Sequence, residues 1–272
     1  LELRATPEVC KKCTTASCYK GTSEVPGCPM FEFPKTMDSS AECNLCGNCV
    51  KNCPNDSIRI SPRVPTKELW NIRKPRIEVA FLAIVIMGIV FVQNITMLTV
   101  WEKILNSLEN ILGTTSYYIT FTVTFIIAML IPVVLLLLTG LIAKKFNKVS
   151  IKENFAKYGY AIIPLDLAGH IAHNLFHLLA EGKSVFYTAM GLFGVEYHGA
   201  STAIFSSPTI QMLQYIIIVI GTVGSIYTAY RLAKSSQNNK NVLGTSVVYA
   251  VLMILLAVAN ILLFSLPMAM RM

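Results

Sequence analysis

The stretch CNLCGNCVKNCP, from Cys43 to Pro54, decides how the chain is read. Its spacing, Cys-x-x-Cys-x-x-Cys-x-x-x-Cys-Pro, puts three thiols on one tight loop and a fourth just beyond, where a proline turns the chain away. Three thiolates crowded in this way suit three irons of a cuboidal 4Fe–4S cluster. In the bacterial form of the run, the fourth cysteine ligates the other cluster of a pair. A stretched copy precedes it: Cys10 and Cys13 keep the spacing, Cys18 comes two residues late, and Cys28 lies well downstream but keeps its following Pro29. All eight cysteines of the chain fall in these two groups. On the crossed pattern, Cys10, Cys13, Cys18 and Cys53 hold one cluster and Cys28, Cys43, Cys46 and Cys49 the other. The insertion from Gly21 to Gly27 has no role that spacing reveals.

Two other uses of cysteine compete. A disulfide framework suits a small secreted domain, but the topology below sets these residues on the reducing side of a membrane. Two four-cysteine zinc sites would also use thiolates, yet the triplet crowds its ligands more than the paired spacing of zinc ribbons.

With 272 residues, 54% of them hydrophobic and only 14% charged, the chain is too apolar for an ordinary soluble domain. Long apolar runs begin only after Arg76, so a polar head precedes a membrane region. Residues 1–62 read as the head, 63–76 as a basic linker and 77–272 as the membrane domain. The expected fold class is an α+β dicluster ferredoxin-like head followed by an all-α transmembrane bundle of about five helices. The chain starts at Leu1 without an initiator methionine or a signal-peptide core, and is expected to be a fragment, with further membrane helices or subunits as partners. The net charge of +8 is not gathered on one stripe, which argues against nucleic acid as a partner.

So small a head has little apolar core, and its clusters must staple it. Ser57 to Ile60 is β-prone, and Pro26, Pro29, Pro34 and Pro54 disfavour long helices. Met30, Phe31 and Phe33 are expected to pack over a cluster and keep water away. Trp70, followed by Arg73, Lys74 and Arg76, is an interfacial anchor.

Five crossings are expected over residues 77–99, 117–143, 157–179, 208–231 and 242–268, with kinks at Pro132 and Pro164. Trp101 to Gly113 alternates at helical spacing and reads as an interfacial helix. Residues 184–208 lie on the surface or dip back into the bilayer. Asn94 opens an Asn-Ile-Thr sequon inside an apolar run and is assigned no role. Lysine and arginine collect in the connections at 73–76, 144–152 and 231–240, whereas the alternate connections hold only Lys103 and Lys183. The basic side is also the side of the cysteines, so the positive-inside rule makes this a multi-pass protein of the cell (inner) membrane with a cytoplasmic head.

Asp166, His170, His173, His177 and Glu181 follow at spacings of four, three, four and four, on one face of the third crossing. Ionisable groups at membrane depth mark functional paths. Histidine near an apolar cleft, with a carboxylate to tune it, suits a quinone or quinol. Bis-histidine haem draws its ligands from facing helices. The one remaining histidine, His198, lies in an outer loop, so haem is not expected here. Three histidines spread over about 10 Å of helix axis cannot converge on one metal ion, though an adjacent pair can.

The segments CKKCTTASC, GCPMFEFP and CNLCGNCVKNCP, with the membrane helices that follow, resemble the membrane-bound polyferredoxins of the quinol-dehydrogenase accessory type, the NapH/NosR-like group. The resemblance is specific over about the first sixty residues and general beyond. It implies an electron-transfer subunit of an oxidoreductase complex, passing electrons between a quinone/quinol pool or membrane partner and a redox partner through two 4Fe–4S clusters. Histidines in the middle and outer half of the bilayer are far from such a head, so a further redox carrier is expected. The reading from another class is a redox subunit accessory to metal-ion uptake, with the transmembrane histidines guiding the metal.

Overall fold

The computed structural model describes residues 1–37, 39–70, 72, 74–195, 201–236 and 241–267. They form two compact units, Leu1–Glu68 and Leu69–Met272. The stretch expected as a linker is divided between them. Arg63 pairs with Glu68 within the first, and Leu69 and Ile72 pack on the core of the second. Arg73 lies outside the described residues.

The first unit is closed by its two ends. Strand β1 (Glu2–Ala5) pairs antiparallel with the β-prone segment seen in the sequence, Leu3 facing Ile60 and Ala5 facing Ile58. Between them come helices α1 (Pro7–Lys12), α2 (Ser17–Lys20) and α3 (Asn48–Lys51), and then strand β2 (Ile58–Ser61) completes the ribbon. Leu3, Cys49 and Ile58 are its buried core, and Cys18, Cys43 and Cys53 pack around them. Three buried side chains are too few to stabilise sixty-odd residues by apolar burial, so the cysteines sit where a staple is needed. Among the described residues the head is a two-stranded ribbon with three short helices, a coarser architecture than the ferredoxin-like fold expected. Met30 and Phe31, expected to pack inward, are 45% and 79% exposed. Phe31 takes a left-handed turn, φ 56°, that swings its side chain outward, while Phe33 stacks at a tilt on Tyr19, 5.6 Å away.

The second unit is helical: α4 (Ile77–Ile95), α5 (Val100–Leu112), α6 (Tyr117–Asn147), α7 (Ile151–Tyr158), a 3-10 turn (Gly159–Ile162), α8 (Ile163–Gly191), α9 (Ser207–Ser235) and α10 (Val242–Ser265). Four of these, α4, α6, α9 and α10, are long and apolar enough to cross a membrane. The amphipathic segment is α5, which turns Trp101 inward against Phe121, 5.7 Å away, and ends at left-handed Gly113.

The third expected crossing differs. Residues 157–179 are not one helix, because α7 stops at Tyr158 and α8 starts afresh at Ile163 with Pro164 in its first turn. There a proline lacks only an N–H that would have no helical partner, so it starts the helix and does not kink it. Ser225 Oγ accepts from Leu165 N–H (2.9 Å) and meets another orphan donor of that turn. Pro132, by contrast, lies inside α6, which runs through it. Nor does a loop begin at Ser184: α8 continues to Gly191, and the returning chain docks on it, Ile204 N–H to Leu179 O (2.7 Å) and Lys183 N–H to Thr202 O (3.0 Å). Glu196 to Ala200, including His198, lie outside the described residues.

Small residues set the close crossings, as in membrane bundles. A Cβ on Gly221 of α9 would stand 2.3 Å from Ala168 Cβ and 2.9 Å from Pro164 O, and one on Gly88 of α4 would stand 2.8 Å from Met129 Cα. Gln214 Nε2–H donates to Ala172 O (2.9 Å), a second stitch between the antiparallel α8 and α9. At one end, Arg76 N–H donates to Tyr160 Oη (3.2 Å), and Asn147 and Asn154 lock the α6–α7 turn (2.7 Å). The other end joins Thr99 N–H to Pro267 O (3.3 Å) and Gln211 Nε2–H to Phe264 O (3.0 Å).

Candidate functional site

The head is an internal repeat. Ala16 and Gly47 both take left-handed φ (51° and 81°) and start the four-residue helices SCYK and NCVK, each with cysteine second. Ala16 O accepts from the N–H of Tyr19 and Lys20, and Gly47 O from Val50 and Lys51, all at 3.0–3.1 Å. The following cysteine returns to the same place in both halves: Cys28 N–H donates to Tyr19 O (3.1 Å) and Cys53 N–H to Val50 O (3.3 Å). After each Cys-Pro comes a left-handed residue, Phe31 or Asp56, and then an N–H directed at the cysteine sulfur: Glu32 to Cys28 Sγ and Ser57 to Cys53 Sγ, both 3.3 Å.

The insertion that the sequence left unexplained is a closed excursion. Gly21 bridges Pro26, Thr22 N–H donates to Val25 O (2.9 Å), and Gly27 lies so near Tyr19 that a Cβ would be 2.3 Å from its carbonyl oxygen. Asn52, just past α3, donates to Val25 O (3.2 Å) and Pro26 O (3.0 Å) and accepts from Thr22 Oγ1 (2.9 Å). The loop therefore starts and ends at one point, and Cys28 regains the register that Cys53 has without an insertion.

Each half's last cysteine lies near the other half's triplet: the charges that bear on Cys18 are those of Cys53, Cys10 and Cys13, and those on Cys49 are Cys43, Cys28 and Cys46. Burial, and then the neighbouring thiolates, push Cys49 up to about 11 and raise Cys18 in the same sense. Cys13 is lowered, chiefly by the Thr15 hydroxyl and then by backbone N–H groups. Cys10 Sγ lies 3.2 Å from Ser57 Oγ in a buried contact, and Leu45 N–H points at Cys43 Sγ (3.4 Å). Ser57 was not a candidate from the sequence, and only the β1–β2 closure brings it to Cys10.

The N–H groups of Glu32, Leu45 and Ser57, directed at cysteine sulfur, suit thiolate ligands of a metal or cluster. Among the described residues no three His, Cys, Asp or Glu side chains are grouped to hold a single metal ion.

The polar face of α8 is divided. His173 Nδ1 lies 2.8 Å from Asn94 Oδ1 of α4, its ring 5.1 Å from that of His177, and His177 Nδ1 lies 3.2 Å from Glu181 Oε2. Asp166 does not join them. It is 6% exposed, its Oδ1 has no hydrogen-bonding partner among the described residues, and it lies about 22 Å from Glu181 along the axis at 1.5 Å per residue. His170 offers its backbone oxygen to Asn174 Nδ2 (2.8 Å).

Asn94, dismissed as a stray sequon, is 5% exposed and holds the central histidine. A polar residue within an apolar run was signal enough. With an amide oxygen facing Nδ1, the neutral tautomer that fits carries its proton there and keeps Nε2 as an acceptor. Asn94 Nδ2 has no partner among the described residues. Asn94, His173, Phe176, Gln211, Gln214 and Leu98 are among the residues lining a cavity of about 350 Å³. It lies where α4 and α10 end and α9 begins, opposite the basic end.

Comparison with family models, curated proteins and solved structures returned no match.

Proposed function

We propose that this is a membrane-embedded iron–sulfur electron-transfer protein whose amino-terminal unit holds two 4Fe–4S clusters. The observation that carries the reading is the internal repeat, with its thiols grouped as Cys10, Cys13, Cys18, Cys53 and Cys28, Cys43, Cys46, Cys49. Clusters bound there would accept and pass on single electrons. The N–H groups of Glu32, Leu45 and Ser57 would then tune the potentials by bonding to sulfur.

The membrane unit supplies the anchor and a site for the other redox partner. We read α8 as a fifth crossing, since it lies antiparallel along α9 and is joined to it at Leu165 and Ala172. By the positive-inside rule, the end with Lys144, Lys145, Lys148, Lys152, Arg231 and Lys234 is cytoplasmic, and the head precedes the first membrane helix, α4, in sequence. The cavity around His173 suits a quinone or quinol head: apolar walls, the Asn94 amide as donor, and His173 Nε2 to receive a proton from a hydroxyl. On this reading a further redox group, bound by the polar face of α8 or by a partner, carries electrons between quinone and clusters.

Low-temperature EPR with iron and zinc assays tests the proposal. Two interacting iron–sulfur signals are expected, and stoichiometric zinc without iron overturns it. Menaquinol analogues added to the protein should change cluster absorbance, whereas a response to ferric or cupric ions alone would favour metal reduction.

A further inference from the structure

A second cavity, of about 590 Å³, is lined by Trp70, Tyr227, Tyr230, Arg231, Lys234 and Ser235 at the basic end of the second unit. Its chemistry is one-sided. Trp70 stands edge-on to Tyr227 with centroids 5.0 Å apart, and the Arg231 guanidinium lies 5.3 Å from the centre of the Trp70 ring. Arg231 Nη1–H donates to Tyr227 Oη (3.1 Å), which orients the guanidinium and leaves its other donors to a ligand. The Trp70 indole N–H is buried and has no partner among the described residues. Among the described residues no carboxylate lines the cavity. A guanidinium and an ammonium side by side repel each other, and an anion rich in acceptor oxygens relieves that repulsion.

We propose that this cavity binds a phosphate group, supplied by the headgroup of an acidic phospholipid. Arg231 and Lys234 lie in the last two turns of α9, a helix apolar enough to cross a membrane. Lipid phosphates lie at that depth, and basic pockets on the cytoplasmic side of helix bundles attract them. Planar Arg231 matches two phosphate oxygens at once, while Lys234 acts as a point charge. The aromatic walls fit the boundary between headgroup and chain.

The test uses the full chain in nanodiscs of phosphatidylcholine with or without phosphatidylglycerol. Trp101→Phe leaves Trp70 as the sole tryptophan, since the chain has two, and excitation at the red edge of the indole band avoids the tyrosines. Native mass spectrometry should find phosphatidylglycerol retained over phosphatidylcholine, and Trp70 emission should shift when it is present. Arg231→Gln with Lys234→Gln should cut that preference about thirtyfold, the size expected from two charges near an anionic headgroup. Lys234→Gln alone, at an exposed position, should cut it part of the way with no effect on folding. Lys148→Gln with Lys152→Gln, outside the cavity, should leave it intact. A Trp70 shift with inorganic phosphate, lost in the double variant, would keep the phosphate site but assign it to a soluble ligand. Lipid preference and Trp70 emission unchanged in the double variant overturn the proposal.

Discussion

Gly27→Ala separates the two halves of the head in a single measurement. The new Cβ would stand 2.3 Å from Tyr19 O, and 2.8 Å and 2.9 Å from the carbonyl carbon and oxygen of Lys20. Carbon and oxygen normally stay about 3.3 Å apart, and these are all backbone atoms that cannot rotate away. The chain at Cys28 must therefore retreat by about 1 Å, which takes its N–H from 3.1 Å of Tyr19 O beyond hydrogen-bonding reach. The Asn52–Pro26 and Asn48–Gly27 bonds, at 3.0 and 3.4 Å, are strained with it. At about 1 kcal/mol each, the loss is about 3 kcal/mol. It falls on one ligand of the Cys28, Cys43, Cys46, Cys49 set, whereas the other set draws its distant ligand from Cys53, which has no insertion before it. Iron per chain should fall to half, with one EPR signal lost and the other unchanged. The reasoning is refuted if both signals persist at wild-type iron content, or if the surviving signal belongs to the set containing Cys28.

Other perturbations test the remaining parts. Cys46→Ser should abolish one EPR signal and Cys13→Ser the other, and loss of the same signal in both would dismiss the crossed sets. His173→Ala and Asn94→Leu should leave both clusters in place yet impair quinol-dependent turnover by tenfold or more, about 1.4 kcal/mol. Normal turnover would make that pair structural. Gly221→Leu should drive α8 and α9 apart at Ala168 and Pro164 and cost about 1–3 kcal/mol, measured as a lower midpoint of thermal unfolding in detergent. Ligation needs thiolates, and burial with like charge raises Cys18 and Cys49. Anaerobic reconstitution should therefore slow as pH falls below the thiol range and quicken as it rises. A flat profile between neutral and alkaline pH would count against that.

Much of the site was legible in the chain because ligand chemistry is written in local spacing. Cys-x-x-Cys-x-x-Cys crowds three thiols whatever surrounds them, and long apolar runs must find lipid or a core. The same pattern is the ground for expecting Cys28 and Cys53 to be shared crosswise. Boundaries were less legible: Pro164 at a helix start and Pro132 inside a helix look alike in sequence, and only the neighbouring Ser225 and the break at Tyr158 distinguish them.

Taken alone, the sequence determined the eight-cysteine head, the apolar base and the polar stripe of one helix, since each rests on residues close together in the chain. Tertiary structure decided what distance along the chain conceals. The Gly21–Gly27 loop closes on itself so that Cys28 mirrors Cys53, and Asn94 meets His173 from another helix, leaving Asp166 apart from the histidines that share its face. Periodicity states which face a side chain occupies, but only packing against other helices selects its partner.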